Sequence, residues 1–121
     1  MKRAFILLLA PLVLFGASII SCAKVSLPET AAFGKVQNLP EVQLFMAKVN
    51  KAGNDVRPII RQEESDASSG NLIEFYVGES HPTHNVLWNR FAVDKTTTQI
   101  FVFDAESGEY VSIEDWRNKL K

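Results

Sequence analysis

Both histidines of the chain fall in one short stretch, Glu79-Ser80-His81-Pro82-Thr83-His84, beside an acid. Two imidazoles and a carboxylate are ligand types that zinc accepts, and imidazole binds in its neutral form. The spacing sets a condition. On a strand, His81 and His84 would face opposite ways, so only a tight turn around Pro82 brings both rings to one metal. Ser80 and His84 are a nucleophile and a base by type, but a hydrolase also needs an orienting acid and an oxyanion hole, and no nucleophile-elbow motif is present. The stretch predicts at most a weak surface metal site at Glu79, His81 and His84. No catalytic residue and no cofactor is assigned, and the expectation is that the protein is not an enzyme.

A second set is Tyr76, Trp88 and Arg90. Aromatic rings and arginine dominate the energetics of protein interfaces, because they combine large apolar area with directional polar tips. If these three stand on the sheet face turned away from the helices, that face and the loop His81 to Asn85 form a surface for a protein or peptide. The alternative use of Trp88 is to fill a second small core under the loops or the C-terminal helix.

The elements that must position these residues read as an α+β domain. Asn38, Pro40 and Glu41 stand as cap, first-turn proline and capping-box acid of a helix. Its apolar stripe is Val42, Phe45, Met46, Val49 and Ala52, Leu44 lies off its centre, and Gly53 is the stop. Such a stripe packs on a sheet.

Four strands follow, with Val56 to Glu64 an edge strand because Pro58 cannot donate to a ladder. Ser65 to Asn71 is a polar loop. In Leu72 to Val77 alternation puts Ile73, Phe75 and Val77 on one face and Glu74 and Tyr76 on the other. In Val86 to Val93 it puts Leu87, Phe91 and Val93 opposite Val86, Trp88, Arg90 and Ala92. Ile100 to Phe103 is apolar on both faces.

Asp94-Lys95-Thr96-Thr97-Thr98 and Asp104-Ala105-Glu106-Ser107-Gly108 read as hairpin turns. In each the Asp accepts backbone N–H bonds and the fifth residue goes left-handed. Thr98 is costly there, so its turn is expected to be wider or differently built. Ser112 and Asp115 are the capping box of a short closing helix, Val111 and Trp116 its hydrophobic staple, and Trp116 and Leu120 are expected to point toward the domain.

The N-terminus carries a different kind of information. Lys2 and Arg3 precede an uncharged apolar run, Ala4 to Ile20, and Cys22 is the only cysteine. At ~1.5 Å rise per residue that run spans roughly 25 Å, short of a ~30 Å hydrocarbon core, and Pro11 and Gly16 interrupt it, which favours a signal segment over a permanent span. Ile19-Ile20-Ser21-Cys22 resembles the lipobox of bacterial lipoproteins. The resemblance implies a signal peptide over 1–21, cleavage before Cys22, a diacylglycerol on its sulfur and acylation of the new N-terminus, with Ala23 favouring the outer membrane, facing the periplasm, if the host has two membranes. Several acyl chains hold a protein to a bilayer far more firmly than one. Residues 22–37 then read as an anchored, flexible tether reaching at most ~50 Å, with docking of Phe33 and Val36 on the domain as the alternative. The domain is residues 38–121.

Lys2 and Arg3 are two of the 13 basic residues and none of the 14 acidic ones precedes Cys22, so the remainder carries 11 against 14, a net charge of −3. That balance gives no basic face for nucleic acid. With a single cysteine, an exported domain has no internal disulfide and stands on packing alone.

From Leu39 to Tyr110 the element order and the last hairpin, Asp-x-x-Thr/Ser-x-x-aliphatic or aromatic, resemble PepSY-like domains, although Thr98 stands where those domains usually have Gly. The resemblance implies a module that binds peptides or restrains a peptidase in the envelope, an implication of fold and not of function. The expectation is a membrane-anchored lipoprotein presenting a protein- or peptide-binding domain, with an immunity or envelope-scaffolding role as the alternative.

Overall fold

A computed structural model of the chain describes residues 26–64 and 66–121. Cys22 and the whole of 1–25 lie outside the described residues, as does Ser65. Five strands form one antiparallel meander in the order β1-β2-β3-β4-β5: Arg57–Gln62, Leu72–Ser80, Asn85–Asp94, Ile100–Asp104 and Glu109–Ser112. Helices α1 (Glu29–Gln37) and α2 (Pro40–Ala52) precede the sheet and α3 (Ile113–Lys119) follows it. The fold is α+β. β1 is an edge strand, with Pro58 opposite Glu79.

The helices supply apolar residues to one sheet face. Ala32 and Val36 of α1, Leu39, Val42 of α2 and Ile113 of α3 close over Ile73, Phe75 and Val77 of β2, Phe91 and Val93 of β3 and Val102 of β4. Phe75 and Phe91 are fully buried opposite one another across the β2–β3 ladder and are the largest of the fully enclosed side chains, so they contribute strongly to the apolar burial that holds helices and sheet together. Among the described residues no helix packs on the opposite sheet face.

Where a tether was expected up to residue 37, the chain folds from Leu27 onward. The Leu27 N–H donates to the Lys95 carbonyl at 2.9 Å, and the Ala32 and Val36 side chains are fully buried. Phe33 packs edge-on against Phe75, ring centroids 6.1 Å apart, so the docking foreseen for Phe33 and Val36 is the one that forms. Helix α1 was masked in the sequence by its composition, since two of its core contacts come from one alanine and one valine spaced i, i+4.

Asn38 is accordingly not the cap of α2. It ends α1, Leu39 stands at the N-cap of α2 without a side-chain bond, and Glu41 turns instead to α3. Gly53 ends α2 at φ 65° as expected. Ser112 caps α3 by accepting the Asp115 N–H at 3.1 Å. Trp116 packs on the domain, but Leu120 is 64% exposed, contrary to its expected inward direction.

The hairpin turns are built by one repeated device. Asp94 accepts the Thr96 and Thr97 N–H groups at 2.7 and 3.0 Å, and the Thr98 N–H donates to the Asp94 carbonyl at 2.9 Å. Asp104 accepts the Glu106 N–H at 3.2 Å, and the Gly108 N–H donates to the Asp104 carbonyl at 2.8 Å. Thr98 takes φ 63° and Gly108 φ 72°, so the first turn is built like the second despite its β-branched residue. The polar loop holds a related device: Asp66 accepts the Ser68 and Ser69 N–H groups at 2.9 and 3.2 Å, with Gly70 at φ 57°. All three stretches read Asp, two free positions, Ser or Thr, a left-handed residue, a polar residue and a strand former.

Candidate functional site

A single irregularity decides which residues share a face. The β2–β3 register shifts between Val77, opposite Asn89, and Gly78, opposite Leu87, so Trp88 is the extra residue of a β-bulge. A bulge interrupts the period-2 alternation, and residues before it change faces relative to those after it. Trp88 therefore stands on the helix side, where its ring stacks on Phe45 at 4.4 Å and 3° and meets Trp116 and Phe91 edgewise or tilted at 6.4 and 6.0 Å. The structure brings Tyr76 and Arg90 together as direct cross-strand partners and takes Trp88 away from them. Leu87 joins Tyr76, Gly78 and Arg90 in its place.

Gly78 makes room at this point. A Cβ there would run into the Val86 carbonyl oxygen and come within 2.9 Å of Tyr76 Cε1. The Tyr76 ring lies flat enough over the glycine to be itself buried, and the Arg61 guanidinium covers it 4.4 Å from the ring centroid. Arg61, Tyr76 and Arg90 form a row across β1, β2 and β3.

Beside this row the bare face holds a recess of about 260 Å³ lined by Glu63, Glu64, Glu74, Arg90, Phe103 and Tyr110. Arg90 Nε lies 3.5 Å from Glu63 Oε1, an ion contact without hydrogen-bond geometry, and that oxygen is buried with no hydrogen-bond donor among the described residues. Phe103 and Tyr110 are cross-strand partners with rings edge to face at 5.5 Å. Burial, and then the charge of Glu74, push the Tyr110 phenol up to about 12. At this volume the recess lies below the ~300–1,000 Å³ usual for small-molecule pockets and matches a protruding side chain. Three carboxylates, one guanidinium and two aromatic edges make it a polar, aromatic surface. Sequence reasoning missed Glu63, Glu74, Phe103 and Tyr110, although the alternation of Glu74 with Phe75 and the pairing of β4 with β5 carried the signal.

The histidines meet at the far end of the β2–β3 hairpin. The turn at Pro82 closes with the His81 N–H donating to the His84 carbonyl at 2.8 Å, and the two rings stack at 4.8 Å and 7°. The condition set by the spacing is met, since the rings are adjacent. Their planes are parallel, however, and the ring nitrogens are engaged separately: His81 Nε2 with Glu79 Oε2 at 2.9 Å and His84 Nδ1 with Thr83 Oγ1 at 3.1 Å. Among the described residues no group of three or more His, Cys, Asp or Glu side chains is arranged to hold a metal ion. Among them, too, no helix is long and apolar enough to cross a membrane.

Among the described residues these features define a two-layered arrangement, helices on one face of a single antiparallel sheet, with the polar recess on the other face. No family model, curated protein or solved structure matches the chain.

Proposed function

We propose that the chain is a lipid-anchored envelope protein whose domain binds a protein or peptide on the bare sheet face. The observation that carries this reading is the set of Arg90, Phe103 and Tyr110 around the recess, on a face that none of the described helices covers. Aromatic and arginine side chains grouped around acidic groups suit a partner segment that brings a side chain into the recess, with cation–π and carboxylate contacts available to a lysine or arginine. Lipidation of Cys22 rests on Ile19-Ile20-Ser21-Cys22, and the PepSY-like turn pattern supports a binding or restraining role over a catalytic one. An outer-membrane location facing the periplasm is part of the same reading.

Photo-crosslinking in intact cells tests it. A benzophenone side chain in place of Arg90 or Leu87 should give a discrete adduct with one envelope component, and the same probe at Lys51 on α2 should not. Adducts of equal yield from both faces, or none from Arg90 and Leu87, would remove the bare face from consideration.

A further inference from the structure

We infer that attachment at the N-terminus holds the domain with its histidine hairpin pointing away from the bilayer and its recess beside it, so that the partner of the bare face is itself apposed to the membrane. This rests on the membrane attachment proposed above and adds an orientation to it. The folded domain begins at Leu27, whose N–H is bound to Lys95, just beyond the end of β3. Only residues 23–26 separate Leu27 from Cys22. Five residue steps at ~3.6 Å reach roughly 18 Å at full extension. The ten residues of β3 run from Asn85 beside the hairpin to Asp94 beside Lys95, and at ~3.3 Å each they span about 30 Å.

The connection is therefore shorter than the domain is long. It permits tilting but not inversion, since seating the His81–His84 turn on the lipid would raise Leu27 farther than four residues reach. The same end of the sheet carries the loops 63–71 and 95–99. Glu63 and Glu64 lie in the first of these, Glu74 is two residues into β2, and Tyr110 is two residues from the end of β5. The recess they line thus opens at the membrane-proximal half of the sheet. The charged residues at this end, Glu29, Glu63, Glu64 and Asp66 against Lys95 and the connection's own Lys24, are mostly acidic and offer no basic patch to anionic headgroups, so the covalent connection and not adsorption sets the orientation. A partner that reaches the recess must present its own surface within a few tens of ångströms of the lipid.

The test uses the full chain, processed in a bacterial host and reconstituted in phosphatidylethanolamine–phosphatidylglycerol vesicles containing a nitroxide-headgroup lipid. Ala67→Cys and Thr83→Cys place a fluorophore at the two ends of the sheet, both exposed positions. Strong quenching at 67 and little at 83 is expected, and a 20-residue Gly-Ser insertion between Val25 and Ser26 should abolish the difference. Equal quenching, or more at 83, in protein that floats with the vesicles overturns the orientation while leaving the attachment standing. Protein that does not float overturns both.

Discussion

Tyr110 reports on the candidate recess better than any other single group. Its hydroxyl is held neutral by burial and by the charge of Glu74, which raise its titration to about 12. A spectrophotometric titration of the folded protein should show a phenol ionising near that value, and Tyr110→Phe should remove that phase. Glu74→Gln should move it down, because one of the charges opposing ionisation is gone. The linkage has a definite sign. A folded value above the unfolded one near 10 means that this tyrosine's contribution is intact below about pH 10 and is lost as pH rises toward 12. Alternation alone put Tyr76 and Arg90 on one face, whereas it left Trp88 open between that face and a small core beside the closing helix. The second reading holds, with Trp88 packed against Trp116, Phe45 and Phe91, and its face depends on an inserted residue that leaves no mark in composition. Trp88→Ala should lower stability by about 3 kcal/mol in urea denaturation, at the lower end for a large aromatic because the ring is only half-buried. Arg90→Ala, on the bare face, should cost less, about 1 kcal/mol, most of it from the buried Glu63 oxygen that loses its neighbouring cation. The reverse order would place Trp88 at a surface and Arg90 in the structure's framework.

At the scale of elements, the turns were the most legible part of the chain because their chemistry is local. An aspartate that accepts one or two backbone N–H groups and a fifth residue with positive φ need no information from elsewhere in the sequence. The structure adds that threonine accepts the left-handed position in the Asp94 turn, so strain is present there. Left-handed backbone costs a residue with a Cβ about 1–2 kcal/mol, and part of the gain from glycine returns as unfolded-state entropy, so Thr98→Gly should stabilise by about 0.5–1 kcal/mol. The change should appear as a higher denaturation midpoint with unchanged slope. Gly78 makes the opposite forecast. Its missing Cβ lets the bulged strand and the Tyr76 ring close on it, and the nearest obstacle is backbone, which cannot rotate away. Gly78→Ala should cost about 2–3 kcal/mol, in the upper range for overpacking. A neutral result would mean that the bulge tolerates a shift of β3. Bulges and long-range pairings escape sequence reading for the same reason: they are fixed by partners far along the chain.

For the whole molecule, the consequential difference between expectation and structure is that the helical layer begins at residue 29 and not 38. Helix α1 contributes Ala32, Val36 and Phe33 to the main core, and α2 alone does not cover the sheet: its two buried side chains are Val42 and Val49. Across the same layer Glu41 of α2 receives Arg117 of α3 through Nε at 2.6 Å and a second nitrogen at 3.3 Å, and this pairing holds the Glu41 carboxyl below its ordinary range. Removing α1 would expose Phe75 and Ile73, both nearly or fully buried, to water over a helix-sized area. A domain of this size has little stability in reserve, so that loss should unfold it. Limited trypsin digestion separates a folded α1 from a tether, because cleavage needs an extended, locally unfolded backbone. Lys35 has an exposed side chain but sits within the last turn of α1. The intact protein should resist cleavage after Lys35 on the timescale on which Val36→Asp, which buries an unpaired carboxylate at a fully enclosed site, is cut there and loses its cooperative unfolding transition. Rapid cleavage after Lys35 in a chain that otherwise remains folded would return these residues to the role of a linker, lengthen the connection to Cys22, and release the domain from the orientation that a short connection imposes.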